Sequence, residues 1–322
     1  MQGLVTVFGG SGFVGAQAVR ALAKRGYRVR VAVRRPGLAY KMRMLGDVGQ
    51  IEVVQANVRM PASVARALAG AQACVNLVGL LHESGRQKFQ SLHAMGARNI
   101  AEAAAAAGVA SLVQVSAIGA DADSTAKYAR TKAMGEAEAR QAFPGAVILR
   151  PSIMFGQGDH FFNRFGQMAA LSPALPLVGG GETRMQPVFV GDVGAAIAAC
   201  VSDPSTAGKT YELGGPAIYS FKALMQLILR ETGRSPQLVP LPFPLAKLIG
   251  TAGEIAARVL PFPPLLTADQ VELLRVDNVV SDGALGLADL GVEPTPVEAI
   301  VPSFLFRYRK GGQYAEALAG GV

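Results

Sequence analysis

Leu4-Val5-Thr6-Val7-Phe8-Gly9-Gly10-Ser11-Gly12-Phe13-Val14-Gly15 is the stretch whose reading decides the fold. Residues 4–8 are apolar except for Thr6, the pattern of a short strand covered on both faces. Residues 16–25 have helical composition and are closed by Gly26. Strand, glycine turn and helix in succession form the context in which a dinucleotide fingerprint has physical meaning. Gly9 and Gly12 allow a tight turn and close approach of backbone to a diphosphate. Gly15 allows the helix to lie close to the strand. The helix N-terminus then turns its N–H groups and positive dipole end toward the phosphates. The glycines fit two spacings, GxGxxG from Gly10 and GxxGxxG from Gly9. The turn nominates Gly9, Ser11, Gly12, Phe13, Val14 and Gly15 as cofactor contacts.

Working outward, the second strand, residues 28–33, runs into Arg34-Arg35-Pro36. An acidic residue roughly 20 positions beyond the glycines would bind the ribose 2′-hydroxyl of NAD. Two arginines stand there instead, and guanidinium groups bind a phosphate through charge-assisted bonds. The expectation is NADP(H) in preference to NAD(H). A third strand at 51–55 leads to Asn57 and Val58, placed to reach the adenine edge. A fourth at 73–81 leads past Leu77, Val78 and Gly79, on the nicotinamide side. Strands at 112–116 and 147–149 follow, with an alanine-rich helix at 94–107 between the fourth and fifth. Alternation of this kind predicts a parallel sheet with right-handed crossovers, an α/β doubly wound fold of Rossmann type.

Beyond 150 the alternation weakens. Residues 157–182 read as a loop-and-helix excursion, 187–190 and 210–213 as further strands, and Asp192 as the cap of a helix over 193–201. From 220 the chain reads as mostly helical with proline-rich joints. The expected division is a dinucleotide domain of 1–149 plus about 186–214. A smaller, mostly helical lobe of 150–185 and 215–322 would serve a substrate cleft or docking to a partner or membrane.

The second chemical signal is Tyr128-Ala129-Arg130-Thr131-Lys132, with Ser116 twelve residues before the tyrosine. Tyr and Lys at i and i+4 share a helix face, and a nearby ammonium lowers a phenol's pKa. Such a Tyr can exchange a proton with a carbonyl oxygen that the Ser hydroxyl holds. Ser116, Tyr128 and Lys132 are the catalytic candidates, and the same three would touch the cofactor.

Composition narrows the classes. Half of the 322 residues are hydrophobic and 17% are charged, yet no apolar run is long enough to span a bilayer. The first strand starts at once, so neither a signal peptide nor a transmembrane helix is expected. Cys74 and Cys200 sit in apolar runs and read as reduced core residues. His82, His93 and His160 lack metal-ligand spacing, so no metal is expected. The net charge of +8 comes without basic blocks interleaved with aromatics, so no nucleic acid is expected.

With these motifs in view, the chain resembles the short-chain dehydrogenase/reductase superfamily in its extended or atypical branch. The glycine turn, Asn57-Val58, the Ser116, Tyr128 and Lys132 set, and Arg150-Pro151-Ser152 carry the likeness. It departs from that pattern at Asn57, where the superfamily carries an acid. The resemblance adds Pro151 and Ile153 to the cofactor contacts. A narrower likeness rests on Val75-Asn76-Leu77-Val78-Gly79, Lys132-Ala133-Met134-Gly135-Glu136 and Ile148-Leu149-Arg150-Pro151-Ser152-Ile153-Met154-Phe155-Gly156. It continues through Gln186-Pro187-Val188-Phe189-Val190-Gly191-Asp192-Val193, Gly208-Lys209-Thr210-Tyr211-Glu212-Leu213, Leu241-Pro242-Phe243-Pro244-Leu245, Pro261-Phe262-Pro263-Pro264-Leu265 and Arg307-Tyr308-Arg309. Together these resemble the dehydrogenase-like accessory subunits of respiratory complex I, NADH:ubiquinone oxidoreductase, and their bacterial relatives.

That resemblance implies NADPH held tightly outside the main electron path, with the Ser-Tyr-Lys set possessed but idle. It implies other complex I subunits as partners, where the peripheral and membrane arms meet near the quinone entry. It further implies lipid contact and a peripheral position on the cytoplasmic side of the energy-transducing inner membrane. The residues alone keep a second reading open, an active NADP(H)-dependent reductase or nucleotide-sugar epimerase or dehydratase. They also leave residues 240–266 open as either a surface-docking segment or a lid.

Overall fold

A computed structural model describes residues 2–83, 85, 87–257 and 266–312. The proline-rich run at 261–265 and Arg258 lie outside the described residues. The chain forms two compact units. The first takes the described residues up to Pro151, then Val190–Leu213 and Val280–Glu293. The second takes Ser152–Phe189, Gly214–Val279 and the described residues from Pro294 onward.

The first unit is a seven-stranded parallel sheet. Its strands β1 Gln2–Phe8, β2 Tyr27–Val33, β3 Ile51–Gln55, β4 Ala73–Asn76, β5 Ser111–Val115 and β6 Val147–Pro151 are joined by a last strand, Thr210–Leu213. The order across the sheet is β3-β2-β1-β4-β5-β6 and then Thr210–Leu213. Chain order reverses between β1 and β4, and the crevice at such a switch point receives the ligand in doubly wound sheets. β1 lies between β2 and β4, with Val7 opposite both Val31 and Val75. Its position explains its composition, because a central parallel strand is covered by helices on both faces.

Helices α1 Phe13–Lys24, α2 Pro61–Leu68, α3 Met95–Ala106 and α4 Lys127–Ala142 make the crossovers. Ile100, Ala101 and Ala104 of α3 meet Val64, Ala67 and Leu68 of α2 over Cys74 and Leu112 of the sheet. Fully burying a side chain such as Ile100 or Leu68 stabilises the fold by roughly 1.5–3 kcal/mol. Alanine repetition in α3 lets its backbone approach closely. Cys74 and Cys200 are both buried and free, and burial pushes the Cys200 thiol up to about 12.

The helix expected at 193–201 spans Val190–Ser202, so Asp192 lies inside its first turn rather than at its cap. A carboxylate there still faces the positive dipole end. Residues 280–293 also belong to this unit: Leu285 bridges to Tyr211, and the Ser281 N–H donates to Glu212 Oε2 at 2.8 Å.

The second unit packs around phenylalanines. Phe155, Phe162, Phe221 and Phe304 are buried, and Phe161, Phe165 and Phe189 close around them. Helices Phe162–Leu171 and Phe221–Thr232 supply much of this core, the latter capped by Ser220, whose hydroxyl accepts the Ala223 N–H. Strands Ala174–Val178 and Gln237–Leu241 pair in parallel, although each contains a proline. A two-stranded pair tolerates this because a proline's missing donor can lie on its open side. Gly179, Gly180 and Gly181 form a packed left-handed turn rather than a loose loop: a Cβ at Gly179 would lie 2.5 Å from the Phe243 ring. Helix Phe243–Ala256 buries only Ala246 and Gly250, and leaves Leu245, Leu248, Ile249 and Ile255 exposed. Among the described residues no helix is long and apolar enough to cross a membrane.

Candidate functional site

The glycine turn is built by backbone geometry. Gly9 sits at φ +78°, in the left-handed region, its N–H donates to Ala32 O, and its carbonyl accepts the Gly12 N–H at 3.1 Å. A Cβ on Gly15 would lie 2.5 Å from Gly9 O and from the Gly10 carbonyl carbon, so only glycine fits where α1 crosses the turn. Gly12 caps α1 without a side-chain bond. The first helical turn, Phe13 to Gly15, therefore presents N–H groups that the helix itself does not use. Ser11 and Gly12 are exposed beside it, and Phe13 and Val14 are half-buried.

One wall of this cradle is the loop after β4. The Leu77 N–H donates to Phe8 O, and a Cβ at Gly9 would stand 3.3 Å from the Leu77 carbonyl. Val78 is held through its N–H by Asn76 Oδ1 at 3.0 Å, and Asn76 in turn donates to Gln114 Oε1 at 2.7 Å. A Cβ at exposed Gly79 would stand 3.4 Å from Lys132 Nζ. The loop thus runs from the glycine turn to the predicted catalytic set.

Lys132 stands next to both of its expected companions, one residue from Ser116 through Val115 and over the Tyr128 ring. Ser116 follows β5, and its Oγ is buried with no hydrogen-bond partner among the described residues. A buried hydroxyl without a partner calls for one, which a water or a ligand atom can supply. Lys132 Nζ donates to Val115 O at 3.3 Å, one residue from Ser116, and lies 5.8 Å from the Tyr128 ring centroid. Burial pushes the Lys132 ammonium down to about 8, against the pull of the Glu136 carboxylate. Glu136 is engaged elsewhere, in a two-pronged ion pair with Arg150 at 2.9 and 2.7 Å. Arg150 also reaches Glu212 at 3.5 Å, so this network ties α4, β6 and the Thr210–Leu213 strand together.

On the other flank, Arg34 and Arg35 are exposed just past β2, with no described side chain holding either guanidinium. Asn57 turns the chain after β3: its Oδ1 accepts the Arg59 N–H and its own N–H donates to Ser63 Oγ. Val58 is buried in the core, and its carbonyl accepts from Asn99 Nδ2 at 2.8 Å. Pro151 ends β6 buried, its carbonyl taken by the Ile118 N–H. Ile153 belongs to the second unit, where its N–H donates to Asn278 Oδ1 at 2.9 Å. Among the described residues no group of His, Cys, Asp and Glu could hold a metal ion.

The residue that sequence reading weighs only as a metal ligand, and sets aside, is His93. Its ring is buried, its Nε2 accepts the Leu80 N–H, and its Nδ1 meets Thr131 Oγ1, both at 3.0 Å. It stacks on Phe89 at 5.2 Å and receives the Tyr128 ring edge-on at 5.5 Å. Burial and then the Lys132 cation push the imidazole down to about 3, so it is neutral. The structure marks the position by a switch from π-helix at Gln90–Ala94 to α-helix at Met95, a distortion that recurs at functional sites.

Comparison with known proteins meets this geometry at the cradle. The pattern of the NAD dependent epimerase/dehydratase family matches residues 5–214, from β1 through Thr210–Leu213. The chain belongs to that family. Relatives of the family member described here extend the likeness past residue 214. It is 35% identical over 316 residues to the mitochondrial NADH dehydrogenase (ubiquinone) 1 alpha subcomplex subunit 9 of Arabidopsis thaliana, covering 96% of this chain and 79% of that one. It is 33% identical over 243 residues to a ceramide reductase of Caulobacter vibrioides, covering 76% of this chain and 75% of the reductase. Among solved structures, a Citrobacter triphenylmethane reductase complexed with NADP(H) superposes with a TM-score of 0.74 at 20% identity. That superposition covers 93% of this chain and 99% of the reductase, and it shows a shared fold.

Proposed function

We propose that this chain is an NADPH-binding accessory subunit of respiratory complex I, stabilising the complex or its assembly. The observation that carries the reading is the match to NADH dehydrogenase subunits over 96% of the chain, which includes the second unit as well as the cradle. The cradle suits a nicotinamide dinucleotide on structural grounds. Gly15 leaves no space for a Cβ, Gly9 holds the left-handed turn, the helix N-terminus lacks a side-chain cap, and Ser116 Oγ awaits a partner. Arg34 and Arg35 support the finer choice of NADPH, because two unneutralised guanidiniums favour a 2′-phosphate. When bound, such a dinucleotide supplies a hydride-carrying ring. This chain's part is to seat the diphosphate on the Phe13 to Gly15 amides and to offer the Lys132 ammonium and Ser116 hydroxyl at the far end. A ligand that binds only the folded chain stabilises it by mass action, which suits a structural role. The exposed aliphatic row of helix Phe243–Ala256 supports a peripheral site against partner subunits or lipid, at the junction of the two arms.

The test is migration of the chain with intact complex I from respiratory membranes in mild detergent. A chain running free while the complex migrates whole would sink the reading. A second reading, an NADP(H)-dependent reductase, is favoured by the assembled Ser116, Tyr128 and Lys132 set and by the ceramide reductase relative. Tyr128→Phe separates the two. It leaves assembly unchanged under the first and abolishes carbonyl-dependent NADPH oxidation under the second.

A further inference from the structure

One buried imidazole joins three elements: the loop at 77–80, helix α4 and the segment before α3. The loop at 77–80 hangs from it through Leu80 N–H to His93 Nε2 at 3.0 Å. Helix α4 is fixed through Thr131 Oγ1 to Nδ1 at 3.0 Å, and Thr131 is the residue before Lys132. The segment before α3 contributes Phe89 as a stacking partner at 5.2 Å. Tyr128 closes edge-on against both rings, at 5.9 Å from Phe89 and 5.5 Å from His93. The hydroxyl of Thr131 donates to Lys127 O or Tyr128 O, so its lone pair accepts Nδ1–H. Nε2 is then the bare nitrogen that a backbone N–H requires. The assignment is consistent at both nitrogens, and the ring cannot turn over without breaking both bonds. A Cβ at Gly135 would stand 2.3 Å from His93 O, so α4 is pressed against this segment with no room to drift.

We propose that His93 is a positioning residue that sets the 77–80 loop against Tyr128 and Lys132, and thereby shapes the nicotinamide end of the dinucleotide site. The inference rests on the dinucleotide reading above. Among the described residues, Arg34, Arg35 and Asn57 at the adenine end make no hydrogen bond or ring contact with this imidazole. The effect of altering His93 therefore falls on one end of the ligand.

The experiment measures binding of two probes, NADPH and adenosine 2′,5′-bisphosphate, which lacks the nicotinamide half. The chain is stripped of nucleotide and carries His93 unaltered, His93→Gln or His93→Asn. Gln places its terminal oxygen where Nε2 stands and keeps the Leu80 bond. Asn places its amide where Nδ1 stands and keeps only the Thr131 bond. His93→Asn is expected to weaken NADPH about tenfold, the effect of losing one neutral hydrogen bond. His93→Gln stays near the unaltered value, and both bind the bisphosphate as the unaltered chain does. Equal loss in both variants, or equal loss for both probes, would reveal a merely structural histidine and overturn the proposal. An unaltered chain that binds neither probe overturns the dinucleotide reading and this inference with it. Should the variants not fold, hydrogen exchange in the unaltered chain decides. Exchange over 77–81 slows with NADPH and not with the bisphosphate; slowing by both alike, or by neither, overturns the inference.

Discussion

Replacing Lys132 with Met should stabilise the nucleotide-free protein at neutral pH, although it deletes a hydrogen bond. Lys132 is 7% exposed, and its pKa falls from 10.5 to about 8 because burial penalises the charge. The folded chain therefore holds this proton less tightly than the unfolded chain. Below pH about 8 the cost of burying the charge is present in full. As pH rises from about 8 toward 10.5 the cost fades, so this group makes stability rise with pH. The gap between 10.5 and about 8 corresponds to about 3 kcal/mol. The lost bond to Val115 O, long at 3.3 Å, offsets about 1 kcal/mol of that. A net gain of about 2 kcal/mol at pH 7 remains. With a urea slope of roughly 3 kcal/mol per M, the midpoint moves up by about 0.7 M. Urea unfolding followed by far-ultraviolet circular dichroism at pH 7 and pH 10 checks this. At pH 10 the gain should vanish. A variant less stable at pH 7, or a difference that does not change with pH, would refute the reasoning.

Arg34→Asp should lower NADPH affinity about tenfold or more, the scale of a charge-assisted bond, and leave NADH nearly unchanged; equal losses in a titration with both nucleotides would remove the 2′-phosphate assignment. Gly15→Ala should destabilise the first unit by about 2 kcal/mol or more, because backbone must move where a Cβ would stand 2.5 Å from Gly9 O. A thermal midpoint within a degree of the unaltered chain would show that α1 can shift freely. Glu136→Gln should destabilise by about 3 kcal/mol, since Arg150 would keep only Glu212 as an ionic partner in a half-buried site; an unchanged urea midpoint at pH 7 would contradict it.

The doubly wound sheet was legible because its signals are local. Gly9, Gly12 and Gly15 are demanded by backbone distances within one turn, and β1, β4 and β5 are apolar because helices cover both faces. The Tyr128 and Lys132 pair was legible from i, i+4 helix spacing once that helix was placed behind a fifth strand of the sheet. His93 was not, because its partners Leu80 and Thr131 stand 13 and 38 residues away. Strands Ala174–Val178 and Gln237–Leu241 escaped because Pro176 and Pro240 argue against strand wherever both edges of a strand are paired, and here one edge is open. Residues 280–293 carry no pattern that ties them to the sheet; a bridge at Leu285, whose carbonyl accepts the Glu212 N–H, and the Ser281 N–H bond to the Glu212 carboxylate do so.

The return of 280–293 to the first unit has a consequence for biosynthesis. The strand Thr210–Leu213 leaves the ribosome well before the segment that bridges to it. At roughly 5–20 residues per second, the border of the sheet waits on the order of several seconds for that segment. During this interval Tyr211 is without Leu285, and the nascent chain carries an open β-edge of the kind chaperones guard.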